Sequence, residues 1–211
     1  MIDIEFDAGQ TELRAGARRL FAEAGGLDLA RGRIEGGDGF PHELWRRMVD
    51  LGHPAISIPE SLGGAGGGMV DLCALSLETG RALIATPLVP SSVVAGRVLA
   101  TVAADHGPAA ELVRSIAGGE AIVVPALLDV GGSWDAQGVE ARLDGTGDRL
   151  RLTGTKVLVP FADRADRLLV TAREGDGVSL VLVDPGADGV TVAPVSYTHL
   201  TLPTKCRKWW W

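Results

Sequence analysis

The sequence predicts an α+β fold: an N-terminal all-α helical domain followed by an antiparallel β-barrel-like domain. Two observations carry this. Up to Gly119, apolar residues recur at helical spacing between Gly and Pro breakpoints. From Glu120 onward they alternate with polar residues in short runs separated by turn residues. Helices first and strands second, without βαβ alternation, exclude a doubly wound parallel sheet. The boundaries that follow are 1–119 for the helical part and 120–194 for the β part, with 195–211 set apart by composition.

The helical half is read element by element. Leu13, Ala17, Leu20, Phe21 and Ala24 form the apolar stripe of a first helix, stopped at Gly25-Gly26. A Gly-rich link, 32–39, follows. Pro41 opens a second helix, with Leu44, Trp45, Met48 and Leu51 on one face and Gly52 at its end. Residues 56–59 read as a short extended piece, and 60–68 as a loop with five glycines. The stretch 69–85 is apolar on most faces, as in a buried helix. Ser91 or Ser92 caps a helix running to about residue 104, and Pro108 opens another that ends at Gly118-Gly119.

The β half begins with the apolar run 121–128. Val139, Ala141 and Leu143 alternate with polar residues, as do Leu150 and Leu152. The runs 168–173, 178–184 and 190–194 are further strands, with turn chemistry at 144–148 and 174–177.

Composition excludes several classes of function. Hydrophobic residues make up 46% and charged residues 22%, which rules out disorder as the main state. The net charge of −7 argues against a nucleic-acid binder that works through a basic surface. Cys73 and Cys206 make no disulfide framework. The N-terminus is acidic rather than signal-like, and the longest apolar run is far short of the ~18 residues of a membrane span. A cytoplasmic protein without a membrane partner is expected.

The common catalytic motifs are absent. The glycines of 63–68 have no lysine for a phosphate loop and no βαβ setting for a dinucleotide fingerprint. His42, His53 and His106 match no zinc spacing, so no metal is expected and surface or packing roles are. No Gly-x-Ser-x-Gly elbow occurs. Asp163 and Asp166 read as turn residues rather than an acid pair. Lys156, the only lysine in residues 1–194, reads as a surface lysine at a strand end.

An ordered set of short motifs carries more. These are Gly39-Phe40-Pro41 with Glu43-Leu44-Trp45, Leu51-Gly52, and Ile58-Pro59-Glu60-Ser61 with Gly63-Gly64-Ala65-Gly66. Glu78, Gly80-Arg81-Ala82, Pro87-Leu88 and Ala117-Gly118-Gly119-Glu120-Ala121 follow. Then come Leu152-Thr153-Gly154-Thr155-Lys156 and Ala165-Asp166 with Leu168-Leu169-Val170. Together, from Phe6 to about Pro194, they resemble the first two parts of the acyl-CoA dehydrogenases.

That resemblance implies FAD as cofactor, an acyl-CoA thioester as substrate and α,β-dehydrogenation to a trans-2-enoyl-CoA. It also implies an electron-transfer flavoprotein or similar acceptor as partner, and a homo- or hetero-oligomer. Fatty acid and lipid metabolism, in a bacterium given the GC-rich residue usage, is the implied setting.

Residue by residue, the match is mixed. The cofactor-facing positions correspond to Leu127, Leu128, Gly132, Ser133, Leu158 and Pro160. Leu128 stands where the family has a threonine hydroxyl. Ser133 keeps a hydroxyl for a phosphate or the substrate arm. Leu158 and Pro160 replace polar or aromatic contacts, and Pro160 has no N–H to donate. The family's catalytic carboxylate lies in a C-terminal helical bundle, and nothing after Pro194 resembles one.

No catalytic residue is therefore named. Glu43, Glu60 and Glu78 belong to helical motifs and do not fill that role. Three readings follow: a piece of an FAD-dependent acyl-CoA dehydrogenase, a non-catalytic partner subunit of a hetero-oligomeric one, or a flavin monooxygenase on the same scaffold. The chain by itself is expected to be inactive and to expose apolar surface.

The stretch 195–211 holds three of five Trp, the only Tyr, three basic residues and no acid. Without it, 17 basic against 27 acidic residues give a net charge of −10. Its beginning, 195–204, resembles one reading frame of a transposase adapter used in shotgun libraries. The expectation is a non-native tail rather than a basic aromatic anchor.

Overall fold

A computed structural model of the chain describes residues 5–29, 40–147 and 149–193. The stretch 195–211, expected to be non-native, lies outside the described residues, as do the whole Gly-rich link 32–39 and Pro194.

The helical half comes first. Helix α1 (Ala8–Glu23) starts at a reciprocal cap. The Asp7 carboxylate accepts from the Gln10 N–H at 2.8 Å, and the Gln10 side chain accepts from the Asp7 N–H at 3.1 Å. Ala17, Leu20 and Phe21 face inward. Helix α2 (His42–Asp50) buries Leu44, Trp45 and Met48. Leu51, expected on the same face, is 61% exposed. The helix ends one residue earlier, and Leu51 falls in the turn that Gly52 closes at φ +72°.

The expected extended piece at 56–59 is instead a tight bend after a 3₁₀ turn, His53–Ala55. The glycine loop folds back on it. Ala65, Gly66 and Gly67 N–H donate to the Ala55, Ile58 and Ile56 carbonyls at 2.7–2.9 Å. A Cβ on Gly64 would lie 1.9 Å from the Ile58 carbonyl oxygen, so this glycine serves chain packing.

Helix α3 (Met69–Arg81) buries Leu72, Ala74, Leu75 and Glu78 and packs along α1. It is not buried all round. Met69, Val70, Cys73 and Leu77 are exposed on the opposite side. A π-helical turn, Leu88–Ala95, runs directly into α4 (Gly96–Val102). Ser91 and Ser92 therefore lie inside a continuous helical path and cap nothing. Both are buried, and the Ser91 hydroxyl accepts from the Val123 N–H at 3.1 Å. Helix α5 (Gly107–Ala117) has Pro108 in its first turn, as expected.

The strands are β1 (Val123–Ala126), β2 (Arg142–Asp144), β3 (Arg151–Thr153), β4 (Arg167–Glu174) and β5 (Gly177–Val183). Strand β4 is central. The hairpin partner β5 runs antiparallel along one edge. On the other edge β1 pairs in parallel with Arg167 to Val170, and Arg142 of β2 meets Arg173. Strands β2 and β3 are antiparallel.

The sheet is thus mixed, not wholly antiparallel as expected. An inserted β2–β3 hairpin separates β1 from β4 and lets both run the same way. Alternation of apolar residues is the same in either direction. Residues 190–193 form no strand.

The helical and β halves share a core. Ile58, Ala95, Leu99, Val113 and Ile116 pack with Val123 and Leu169. Phe161 adds a second link, edge-on to Phe40 at 6.2 Å. Among the described residues no helix is long and apolar enough to cross a membrane.

Candidate functional site

The six candidate positions fall on two chain segments that meet beyond the end of β1. Leu127 is half-buried and Leu128 buried. The Leu128 carbonyl accepts from the Val157 N–H at 2.8 Å, and Asp129 forms a β-bridge with Lys156. The first segment then turns. The Gly132 N–H donates to the Asp129 carbonyl at 3.0 Å, with Gly132 at φ +74°. The Ser133 hydroxyl accepts from the Asp135 N–H at 3.2 Å. Its side chain also fills the space a Cβ on Gly138 would need, 2.3 Å from Ser133 Cβ. This is turn-serine geometry.

The second segment carries Leu158 and Pro160, both exposed. Leu158 sits at φ +54° and Phe161 at φ +57°, left-handed conformations that cost a non-glycine residue energy and need support from the surroundings. Val130, Trp134 and Leu158 are 66%, 77% and 62% exposed. Large apolar side chains thus stand open to solvent on both segments.

Two residues before Leu158, the lysine expected at the surface is instead buried. The Lys156 side chain is only 8% exposed and Asp129 only 2%. The ammonium donates to Asp129 Oδ2 at 2.5 Å, to Thr171 Oγ1 at 2.9 Å and to the Leu127 carbonyl at 3.3 Å. Asp129 also accepts from the Glu140 and Ala141 N–H groups, each at 3.2 Å. The Thr171 hydroxyl donates to the Leu127 carbonyl at 3.0 Å.

Lysine is buried only when paired, and here the pair is fully hydrogen-bonded. The available signal was a single lysine in an Arg-rich chain, with an aspartate directly after an apolar run.

Four other ionisable groups, Glu78, His53, Asp163 and Asp166, have burial or partners of their own. Glu78 is buried and held by Arg14 and Arg18, each at 2.9 Å. Hydrogen bonding and charge from Arg18, with Arg14 adding to it, hold its carboxyl down to about 2, against the opposing effect of burial. Burial pushes His53 down to about 4, a packing role as expected. Asp166 accepts from the Ile122 N–H at 2.8 Å and Asp163 pairs with Arg164, so the two do not act together. Among the described residues no group of His, Cys, Asp and Glu is arranged to hold a metal.

Residues 7–114 match the family model for the acyl-CoA dehydrogenase N-terminal domain. The chain belongs to the acyl-CoA dehydrogenase family. It is 35% identical over 161 residues to acyl-CoA dehydrogenase FadE27 of Mycobacterium tuberculosis, covering 76% of this chain and 42% of FadE27.

Among solved structures, it resembles the ChsE4-ChsE5 complex of Mycobacterium tuberculosis with a TM-score of 0.78 and 27% identity, over 92% of this chain and 52% of that one. It also resembles the steroid ACAD Tcur3481-Tcur3483, in a single-substitution variant, with a TM-score of 0.74 and 33% identity. That match covers 86% of this chain and 49% of that one. This acyl-CoA dehydrogenase family chain thus spans about half the length of these solved structures and less of FadE27.

Proposed function

We propose that the whole protein carrying this chain is an FAD-dependent acyl-CoA dehydrogenase that converts an acyl-CoA thioester to the trans-2-enoyl-CoA. The observation that carries the reading is the family match over 7–114. The matched helical part shares one core with a sheet, beside which the two segments carrying the candidate cofactor-facing residues adjoin.

The residues fit a flavin in part. Open apolar side chains at Val130, Trp134 and Leu158 suit a planar ring system. Polar contacts are sparse. Leu128 and Leu158 have none to give from their side chains, Pro160 has no N–H, and Ser133 accepts within its own turn, leaving its O–H as the hydroxyl donor among the six positions. Bound FAD would supply the hydride acceptor. This chain's part is to hold the ring system on apolar walls and keep water away. The carboxylate base is assigned to the remainder of the protein, as in the family.

The test is purification of the whole protein and its visible spectrum. The reading expects the absorption bands of bound oxidised flavin, bleached by an acyl-CoA under anaerobic conditions. A protein that stays colourless with added FAD contradicts it.

A second reading, a non-catalytic subunit paired with a competent one, is favoured by Leu128 and Pro160 and by the hetero-complex among the structural relatives. It expects no flavin on the protein alone and flavin in a complex with a neighbouring gene product. A glutamate at the family's base position would contradict it.

A further inference from the structure

We propose that the buried Asp129–Lys156 pair is a latch whose role is to position the two cofactor-facing segments, 127–133 and 156–160, against each other. The inference rests on the flavin reading above. Four separate stretches of chain converge on the pair. These are 127–129, 140–141, Lys156 and Thr171 on β4. Lys156 has three N–H donors, and each has a partner: Asp129, Thr171 and the Leu127 carbonyl. Asp129 accepts from two backbone N–H groups as well as the ammonium.

Stability alone does not explain the arrangement. An apolar pair of similar volume is often as stabilising as a buried ion pair, because taking two charges out of water costs so much. What an ion pair adds is registry, since it is satisfied in one arrangement only. Here that arrangement fixes the β-bridge between the two segments. Leu127 and Leu128 lie directly before Asp129, and Gly132 and Ser133 follow within four residues. Leu158 and Pro160 follow Lys156 by two and four.

The left-handed Leu158 and Phe161 lie on the same tether. A slip of about 1 Å in either segment would move every candidate contact at once. Lys156 and Asp129 are positioning residues in this account, touching no cofactor themselves.

The experiment uses the whole protein and FAD. Three variants are compared: Lys156→Met, Thr171→Val, and Glu78→Gln as a control that weakens a buried ion pair in the helical half. Two readouts are taken. One is the FAD dissociation constant from quenching of flavin fluorescence. The other is amide hydrogen exchange without FAD.

The latch predicts at least a tenfold rise in the FAD constant for Lys156→Met and about threefold for Thr171→Val. Faster exchange should be confined to 127–133 and 156–160. Glu78→Gln should lower the melting temperature yet leave the constant within twofold. The proposal is overturned if Lys156→Met binds FAD as wild type does, or if Glu78→Gln weakens binding as much.

Should Lys156→Met fail to fold, Thr171→Val decides by the same criteria. Should wild type take up no FAD at all, the flavin reading falls separately. Exchange then decides the latch: local acceleration supports it and uniform acceleration overturns it.

Discussion

Replacing Glu78 by glutamine tests how α1 and α3 are held together. Its Oε1 accepts from Arg14 Nε and Nη2 at 3.2 and 2.9 Å and from Arg18 Nη2 at 2.9 Å, while Oε2 accepts from Arg18 Nε at 3.0 Å. The carboxyl is held at about 2 rather than 4.5. At ~1.4 kcal/mol per pH unit this corresponds to roughly 3 to 4 kcal/mol of preference for the folded state.

Arg18 is 53% exposed, however, and water screens its charge. The working figure is therefore about 2 kcal/mol, below the roughly 3–5 kcal/mol for breaking a fully buried pair. A depressed carboxyl stabilises above its unfolded value and loses that contribution as pH falls through its folded value. Urea unfolding of wild type and Glu78→Gln should therefore differ by about 2 kcal/mol near neutral pH, and by less than half of that near pH 3. Equal stability at neutral pH, or a difference that does not shrink in acid, refutes the reasoning.

The other predictions concern separate parts of the fold. His53, held at about 4 by burial, is neutral when folded; its contribution is present above about 6.5 and is lost as pH falls from 6.5 to 4. His53→Gln should flatten the fall of the urea midpoint across that window, and an unchanged slope would show that another group causes it. Gly64→Ala must push a Cβ into the Ile58 carbonyl and should cost more than about 2 kcal/mol, read as a lower melting temperature; an unchanged one refutes the packing argument. Trp134→Ala removes a 77% exposed side chain and should leave stability within about 0.5 kcal/mol, so a larger loss in thermal unfolding would mean that Trp134 is packed.

The helical half was readable because its signals are local. Ala17, Leu20 and Phe21 repeat at the helical period, Pro108 and the Gly118-Gly119 pair mark helix ends, and the structure uses them so. What was misread there depends on neighbours. Leu51 continues the α2 stripe in sequence but lies past its last turn, and only the packing of α3 on α1 decides that Met69, Val70 and Leu77 face outward.

In the β half, strand positions were visible and strand directions were not. The parallel pairing of Val123 to Ala126 with Arg167 to Val170 spans over forty residues, and alternation carries no sign of it. The largest miss in the candidate site, Lys156, has the same origin. Its partner Asp129 is 27 residues away, and a lysine without a visible partner reads as a surface residue. Glu78 repeats the pattern, since Arg14 and Arg18 stand one helical turn apart yet 64 and 60 residues from it.

The proposal that the whole protein carrying this chain is an FAD-dependent acyl-CoA dehydrogenase is tested most directly by titrating FAD into that protein and following flavin fluorescence. The account predicts saturable quenching at one FAD per chain, weakened at least tenfold by Lys156→Met. No quenching by the wild-type protein, alone or with a candidate partner subunit, would contradict it.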